Sequence, residues 1–251
     1  LTPVLVDVDR KSFTLDIDSL RAAITPRTKA IMPVHLFGQC ANIEEIMSVA
    51  TANGLYVLED NAQALGANYY FSDGSTQKAG TIGSIGCTSF FPSKNLGCYG
   101  DGGAIFTNDD TLANRIRSIA NHGMSVRYHH DRIGVNSRLD TMQAAILRVK
   151  LKHLDTYNRA RAEAAERYDQ LLASSPKLMT PARVSWSNHI FHQYTLCLDN
   201  VDRISLINAL AQEGIPSMVY YPIPLHRQKA FEAYQRKAHT KDFPNTDWLS
   251  E

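Results

Sequence analysis

Apolar positions in the first third of the chain fall into two alternating rhythms. Residues 4–8 (VLVDV), 30–34 (AIMPV) and 56–60 (YVLED) are short apolar runs of strand length. Between them, residues 17–24 (IDSLRAAI) and 43–52 carry apolar side chains at helical spacing, the second at Ile43, Ile46, Met47 and Ala50. Asn42 sits where a helix N-cap belongs, and Gly54 sits where the helix should stop. This βαβαβ order predicts an α/β sheet with helices packed on its faces.

From Gly80 onward the pattern changes. Residues 85–91 and 104–107 read as strands joined by a loop rich in glycine. Asp109 and Asp110 open a helix that runs through Leu112, Ile116 and Ile119 towards Gly123. Residues 139–173 contain no helix breaker, and the spacing predicts one long helix with a stripe of Met142, Ile146, Val149 and Leu151. Beyond Pro176, residues 191–198 and 215–221 read as strands around a helix over 203–213. The closing DFPNTDWLSE suggests no further element. The expected organisation is a large domain over 1–140, a connecting helix over 141–175 and a smaller, incomplete α+β domain over 176–251.

Composition narrows the function. The chain has 251 residues, 44% of them hydrophobic, and a formal net charge of +1. That is enough for a substantial core, and it leaves no basic field to recruit nucleic acid or an anionic membrane. The four cysteines, Cys40, Cys87, Cys98 and Cys197, form no C-x-x-C pair and read as reduced thiols of a cytoplasmic protein. No metal-ligand spacing is present, and no apolar run is long enough to cross a bilayer. The first residues lack both an initiator Met and a signal-peptide pattern, so the chain is expected to begin inside a longer protein.

Four residues stand where chemistry could sit. Asp60 ends an apolar strand, the edge at which open α/β sheets bind ligands; it could hold a cationic partner or cap a helix beginning at Asn61. Gln63 follows three residues later. In TSFFPSKNLGCYGDGG, Ser89 precedes Lys94 by five residues, and Gly97, Gly100, Gly102 and Gly103 follow. The glycines allow close backbone approach or positive φ. Lys94 is either a solvated loop lysine or, if desolvated, an amine able to condense with an aldehyde. Together the four match what pyridoxal phosphate needs: a carboxylate for its pyridine nitrogen, a lysine for its aldehyde and a hydroxyl for its phosphate.

The segments LEDNAQALGANY, TSFFPSKNLGCYGDGGAIFTND, NHG…RYHHDRIGVNSRLDTMQAAIL and YYPIPLHRQ resemble the DegT/DnrJ/EryC1/StrS sugar-nucleotide aminotransferases. The resemblance spans nearly the whole chain, and its wording is closest to the branch acting on UDP-linked 3-keto-hexuronates in surface-polysaccharide (O-antigen, lipopolysaccharide) synthesis. It implies a fold-type I pyridoxal phosphate transferase, with a large mixed sheet, helices on both faces and a smaller C-terminal α+β domain. Lys94 would bind the cofactor and shuttle protons, Asp60 would pair with the ring nitrogen, Gln63 would lie near the ring hydroxyl, and Ser89 would bind the phosphate. Asn136 would reach the cofactor of a second subunit, making a homodimer with shared sites. Arg138 would bind a carboxylate of the uronic acid or of the L-glutamate donor, and Tyr220, Tyr221 and His226 would lie near the nucleotide-sugar. His35 is expected to be a buried, hydrogen-bonded histidine without a chemical role. Family members carry additional segments before and after the stretch present here. The alternatives implied are a 4-keto or dTDP-linked keto-sugar as acceptor, or a regulatory protein that binds the cofactor without turnover.

Overall fold

In the computed structural model, which describes residues 1–235 and 242–251, the elements from residue 17 to residue 60 follow the predicted order. They are α1 (Ile17–Ala23), β1 (Ala30–Ile31), α2 (Ile43–Asn53) and β2 (Tyr56–Asp60). A hairpin, β3 (Asn68–Tyr70) and β4 (Thr76–Lys78), leads into β5 (Ile85–Ser89), and β6 (Gly103–Phe106) returns beside it. Then come α3 (Asp110–Ala120), a second hairpin of β7 (Met124–Val126) and β8 (His129–His130), and two helices, α4 (Thr141–Leu151) and α5 (Leu154–Leu172). The last part holds β9 (Leu178–Met179), β10 (Cys197–Leu198), α6 (Arg203–Gln212), α7 (Glu232–Gln235) and α8 (Pro244–Ser250).

The main sheet is mixed, in the order β1-β2-β5-β6. The first three strands are parallel and β6 is antiparallel to β5. Its core is an apolar cluster of Ile31, Ile43, Ile46, Val57 and Tyr69, joined from far along the chain by Ile190. The helix ends follow local chemistry. Asp16, Asp109 and Asp202 each cap the helix behind them through the side-chain carboxylate. Gly54 ends α2 in the left-handed conformation at φ 62°. Asn42 stands at the start of α2 but does not cap it with its own side chain. Instead the Tyr69 hydroxyl accepts the Glu44 amide at 3.3 Å and donates to Asn42 Oδ1 at 2.9 Å.

Several expectations are corrected. Residues 4–8 are not a strand: only Val8 bridges, to Leu15, because the segment is engaged by α8. Asp7 accepts the backbone amides of Asn245 and Thr246 and the Thr246 hydroxyl, and thereby caps α8. The predicted strand over 30–34 is interrupted at Pro33 and resumes only as a bridge from Val34 to Asp60. The predicted single helix over 139–173 is two, separated at Lys152 and His153. The expected stripe on α4 is largely exposed (Met142 70%, Val149 65%), and Leu147 is the side chain that turns inward. Residues 191–198 form a strand only at Cys197–Leu198, and residues 215–221 form none. Residues 184–190 bond back to the segment after β1. Val184 donates to Gln39, Trp186 to the Cys40 carbonyl and Ile190 to the Gly38 carbonyl. All four cysteines are free thiols, and the described residues contain no metal-ligand cluster.

One buried charge anchors the centre. Glu59 and His35 are both fully buried and meet at 2.8 Å. The Ala41 amide donates to His35 Nδ1 at 3.1 Å, so the ring proton lies on Nε2 and points at Glu59. Glu59 also accepts the amides of Gly80, Ile82 and Gly83 at 2.6–2.8 Å. Burial alone would raise its carboxyl pKa. The His35 hydrogen bond and attraction, with the Gly83 and Gly80 amides, outweigh burial and leave it below the ordinary value. A carboxyl depressed in the folded state stabilises the fold above its unfolded pKa, and that contribution is lost as pH falls through the folded value. Glu59→Gln sets an amide N–H₂ against donors in either orientation. The expected loss is about 3–5 kcal/mol, read by denaturant melts at neutral pH. The difference from wild type should shrink in melts repeated under acidic conditions.

Candidate active site

Strand register brings the predicted residues to one edge. β2 ends at Asp60, which pairs with Cys87 of β5; two residues further on, Ser89 ends β5 opposite Gly103 of β6. Asp60 and Ser89 therefore lie at the C-terminal ends of neighbouring parallel strands. No helix begins at Asn61; the chain makes tight turns, and Asp60 Oδ1 accepts the Ala62 amide at 3.0 Å. The second Asp60 oxygen makes no hydrogen bond among the described residues.

Beyond Ser89 the chain folds into a tight loop. Ser89 Oγ accepts the Phe91 amide at 3.2 Å, and the Lys94 amide donates to the Phe91 carbonyl at 2.9 Å. The loop is clamped from outside by one face of the paired helices. Gln143, Leu147, Lys150 and Leu154 recur at helical spacing. Gln143 accepts the Tyr99 amide at 2.8 Å, and Lys150 donates to the Gly97 carbonyl. Leu147 and Leu154 pack with Phe90, Leu96 and Cys98. None of Gly97, Gly100, Gly102 and Gly103 adopts positive φ, and all but Gly100 serve close approach. A Cβ on Gly97 would lie 2.4 Å from the Pro92 carbonyl oxygen, and one on Gly103 would lie 2.8 Å from that of Thr88.

The clamp leaves the Lys94 amine half-buried, with no hydrogen-bond partner among the described residues. Burial lowers its pKa below the ordinary lysine value, and the Asp60 charge opposes that shift without cancelling it. The same carboxylate, after burial, helps to raise the Cys87 thiol. Asp60 and Lys94 thus share one electrostatic environment. Gln63 is also fixed: its Oε1 accepts the Phe37 amide at 2.7 Å, and its Nε2 donates to the Tyr221 hydroxyl at 3.2 Å. Tyr221 stacks on Phe37 with ring centroids 6.5 Å apart, which brings one of the residues predicted near substrate to Gln63. Tyr220 packs edge-on against Tyr221.

The other predicted residues sit elsewhere. Asn136 and Arg138 are exposed on the segment after β8, where Arg138 Nε donates to Asn136 Oδ1 at 3.1 Å. His226 is buried, bonded to Asp247 at 2.8 Å and stacked on Phe243, so its visible partners are structural and lie in the C-terminal segment. Sequence reasoning missed His192, which Lys94 influences electrostatically. It missed Asn95, adjacent to Lys94, for the same reason: their partners lie some sixty to a hundred residues away along the chain. His35 is the buried, bonded histidine that was expected.

The residues present fit pyridoxal phosphate. An amine of lowered pKa and a carboxylate oxygen, both without a partner among the described residues, lie with a hydroxyl at one strand edge, and that is the donor set such a group requires.

Comparison with known proteins points the same way. The sequence profile of the DegT/DnrJ/EryC1/StrS aminotransferase family matches residues 1–251. The UDP-2-acetamido-2-deoxy-3-oxo-D-glucuronate aminotransferase of Pseudomonas aeruginosa is 47% identical over 248 residues, which are 99% of this chain and 67% of that protein. The UDP-N-acetyl-3-dehydro-alpha-D-glucosamine 3-aminotransferase of Acidithiobacillus ferrooxidans is 48% identical over 238 residues, 95% of this chain and 62% of that one. A crystal structure of a family member from Brucella abortus superposes with a TM-score of 0.90 at 39% identity, covering 99% of this chain and 66% of that one. The chain spans about two thirds of the length of these relatives.

The loop geometry separates two otherwise similar substitutions. Gly97→Ala drives a methyl group into backbone oxygens and should cost about 1–3 kcal/mol. Gly100→Ala meets only the Gln143 side chain at 3.4 Å and should change stability by less than about 1 kcal/mol. Paired denaturant melts distinguish the two.

Proposed function

Because the chain belongs to the DegT/DnrJ/EryC1/StrS aminotransferase family, we propose that the protein containing it is a pyridoxal phosphate-dependent transaminase. It moves an amino group from L-glutamate to the keto carbon of a nucleotide-linked sugar. 2-Oxoglutarate and an amino sugar are the products. The observation that carries this reading is the half-buried Lys94 amine beside Asp60, at the C-terminal edge of β2 and β5.

The cofactor, when bound, supplies an aldehyde for the amino group and a ring that accepts the electron pair released at the substrate carbon. Each residue then has a definite task. Lys94 Nζ takes a proton from the donor α-carbon in the first half-reaction and returns one to the sugar carbon in the second. Burial of Lys94 shifts it towards the neutral form, the form a base needs. Asp60 would hold a positive ring nitrogen through the oxygen that the described residues leave unbonded. Ser89 Oγ accepts the Phe91 amide and keeps its own O–H to donate to phosphate. Gln63 orients Tyr221, whose O–H, having accepted from Gln63, is left to donate onward.

UDP-2-acetamido-2-deoxy-3-keto-glucuronate is the acceptor we favour. The relatives at 47% and 48% identity are named for a glucuronate and a glucosamine, so both share a UDP-linked 3-keto ring and differ at the carboxylate. Arg138 is the residue proposed to read that carboxylate. A homodimer is supported by apolar side chains exposed around Asn136 and Arg138, including Ile133 at 98% and Val135 at 56%. No helix among the described residues is long and apolar enough to cross a membrane, in keeping with a cytoplasmic enzyme of surface-polysaccharide synthesis.

The full-length protein should be yellow and lose its visible absorbance band on addition of glutamate. A band indifferent to glutamate would favour a regulatory protein that binds the cofactor without turnover. Lys94→Ala should lower transamination by at least about 10³-fold; normal turnover in that variant rules out the assignment. Arg138→Gln should raise KM for the 3-keto-glucuronate about tenfold or more and leave a glucosamine-type acceptor little changed, as read by product analysis of each acceptor.

A further inference from the structure

A chain of side-chain amides runs beneath the Lys94 loop, and two backbone carbonyls fix its polarity. Asn158 Nδ2 donates to the Leu65 carbonyl at 3.3 Å, so Asn158 Oδ1 is the atom that receives Asn95 Nδ2 at 2.8 Å. Asn95 Nδ2 also donates to the Ile190 carbonyl at 3.2 Å. The atom of Asn95 facing His192 is therefore its oxygen, and His192 Nδ1, 3.2 Å away, must carry the proton. Both asparagines are buried, at 7% exposure, so an unpaired oxygen at Asn95 would be costly. Arg161 fixes the backbone on the far side, donating to the Phe191 and His192 carbonyls.

We propose that His192 is a positioning residue for Lys94. It acts through Asn95, the next residue in the chain. It donates from Nδ1 to Asn95 Oδ1, completes the bonding of that amide and so holds the backbone from which the lysine side chain projects. A neutral ring is required, because a positive charge there would face both Lys94 and Arg161. Burial, then those two cations, bring the imidazole pKa down to about 4, in agreement with this requirement. The inference rests on the aminotransferase reading, since it concerns the aim of the same amine.

The test compares His192→Asn with His192→Gln. Asparagine can place its N–H₂ where Nδ1–H stood; glutamine carries its N–H₂ further out, where Nε2 was. The first readout is the rate at which pyridoxal phosphate is trapped on Lys94 by borohydride, followed by intact mass in the full-length protein freed of cofactor. The second is kcat against KM for glutamate. His192→Asn should stay within about threefold of wild type in both. His192→Gln should lose on the order of tenfold to a hundredfold in trapping rate and kcat, with KM changed much less. Equal behaviour of the two variants, whether both active or both impaired, overturns the proposal. If the wild-type protein neither traps the cofactor at Lys94 nor transaminates, the aminotransferase reading itself fails and this inference goes with it.

Discussion

A single carboxylate organises the centre of this molecule. Glu59 is buried with its charge intact because four donors converge on it: the His35 ring and the amides of Gly80, Ile82 and Gly83. A buried ion otherwise costs several kcal/mol, and only nearly complete hydrogen bonding makes it tolerable. Those donors come from three places: the segment after β1, the start of the turn after β4 and the approach to β5. Satisfying Glu59 therefore fixes how three pieces of chain meet around β2. Asp60, the next residue, inherits that position but points to the opposite face of the strand. One carboxylate is saturated and structural; its neighbour keeps a free oxygen.

The same division runs through the Lys94 loop. The loop that carries the amine is held from several sides. Gln143 and Lys150 grip the loop backbone, the single Cys98 S–H lies between the Phe90 and Gly100 carbonyls, and Asn95 bonds through both amide hydrogens and its oxygen below the lysine. The lysine amine itself has no partner among the described residues. A rigid support holding an unsatisfied reactive group is the arrangement expected when geometry must be set before a substrate arrives.

What could be read from the sequence follows from where each residue finds its partners. β2, α2, β5 and α3 were legible because their patterns and caps are local: the Gly54 stop and the Asp109 cap lie beside the helices they end or begin. Asp60, Gln63, Ser89 and Lys94 were legible as a combination, although not from any one of them. The apolar run over 191–198 misled because its residues pack through irregular backbone, with Phe191 at φ 48°, a conformation no periodicity announces. On α4 the expected stripe was chosen by hydrophobicity alone. The face that turns inward mixes Leu147 with Gln143 and Lys150, since the surface it covers is a loop with exposed amides and carbonyls. His192 and Asn95 escaped notice for a similar reason: the hydrogen bond between them spans 97 residues of chain.

The clasp between Asp7 and the start of α8 joins residues 238 and 239 positions apart. During translation at ~5–20 residues per second, the carboxylate would wait roughly 10–50 s for its partners to be made. The parallel sheet of β1, β2 and β5 can close in that interval, whereas the α8 clasp cannot. Newly synthesised chains would thus pass through a stage in which the sheet and the lysine loop are in place while the Asp7 carboxylate, the backbone around it already tied to Leu15 and Asp16, still lacks its α8 partners. Stalling or cleavage before residue 244 would leave a nascent molecule with its central architecture assembled and this outer fastening open.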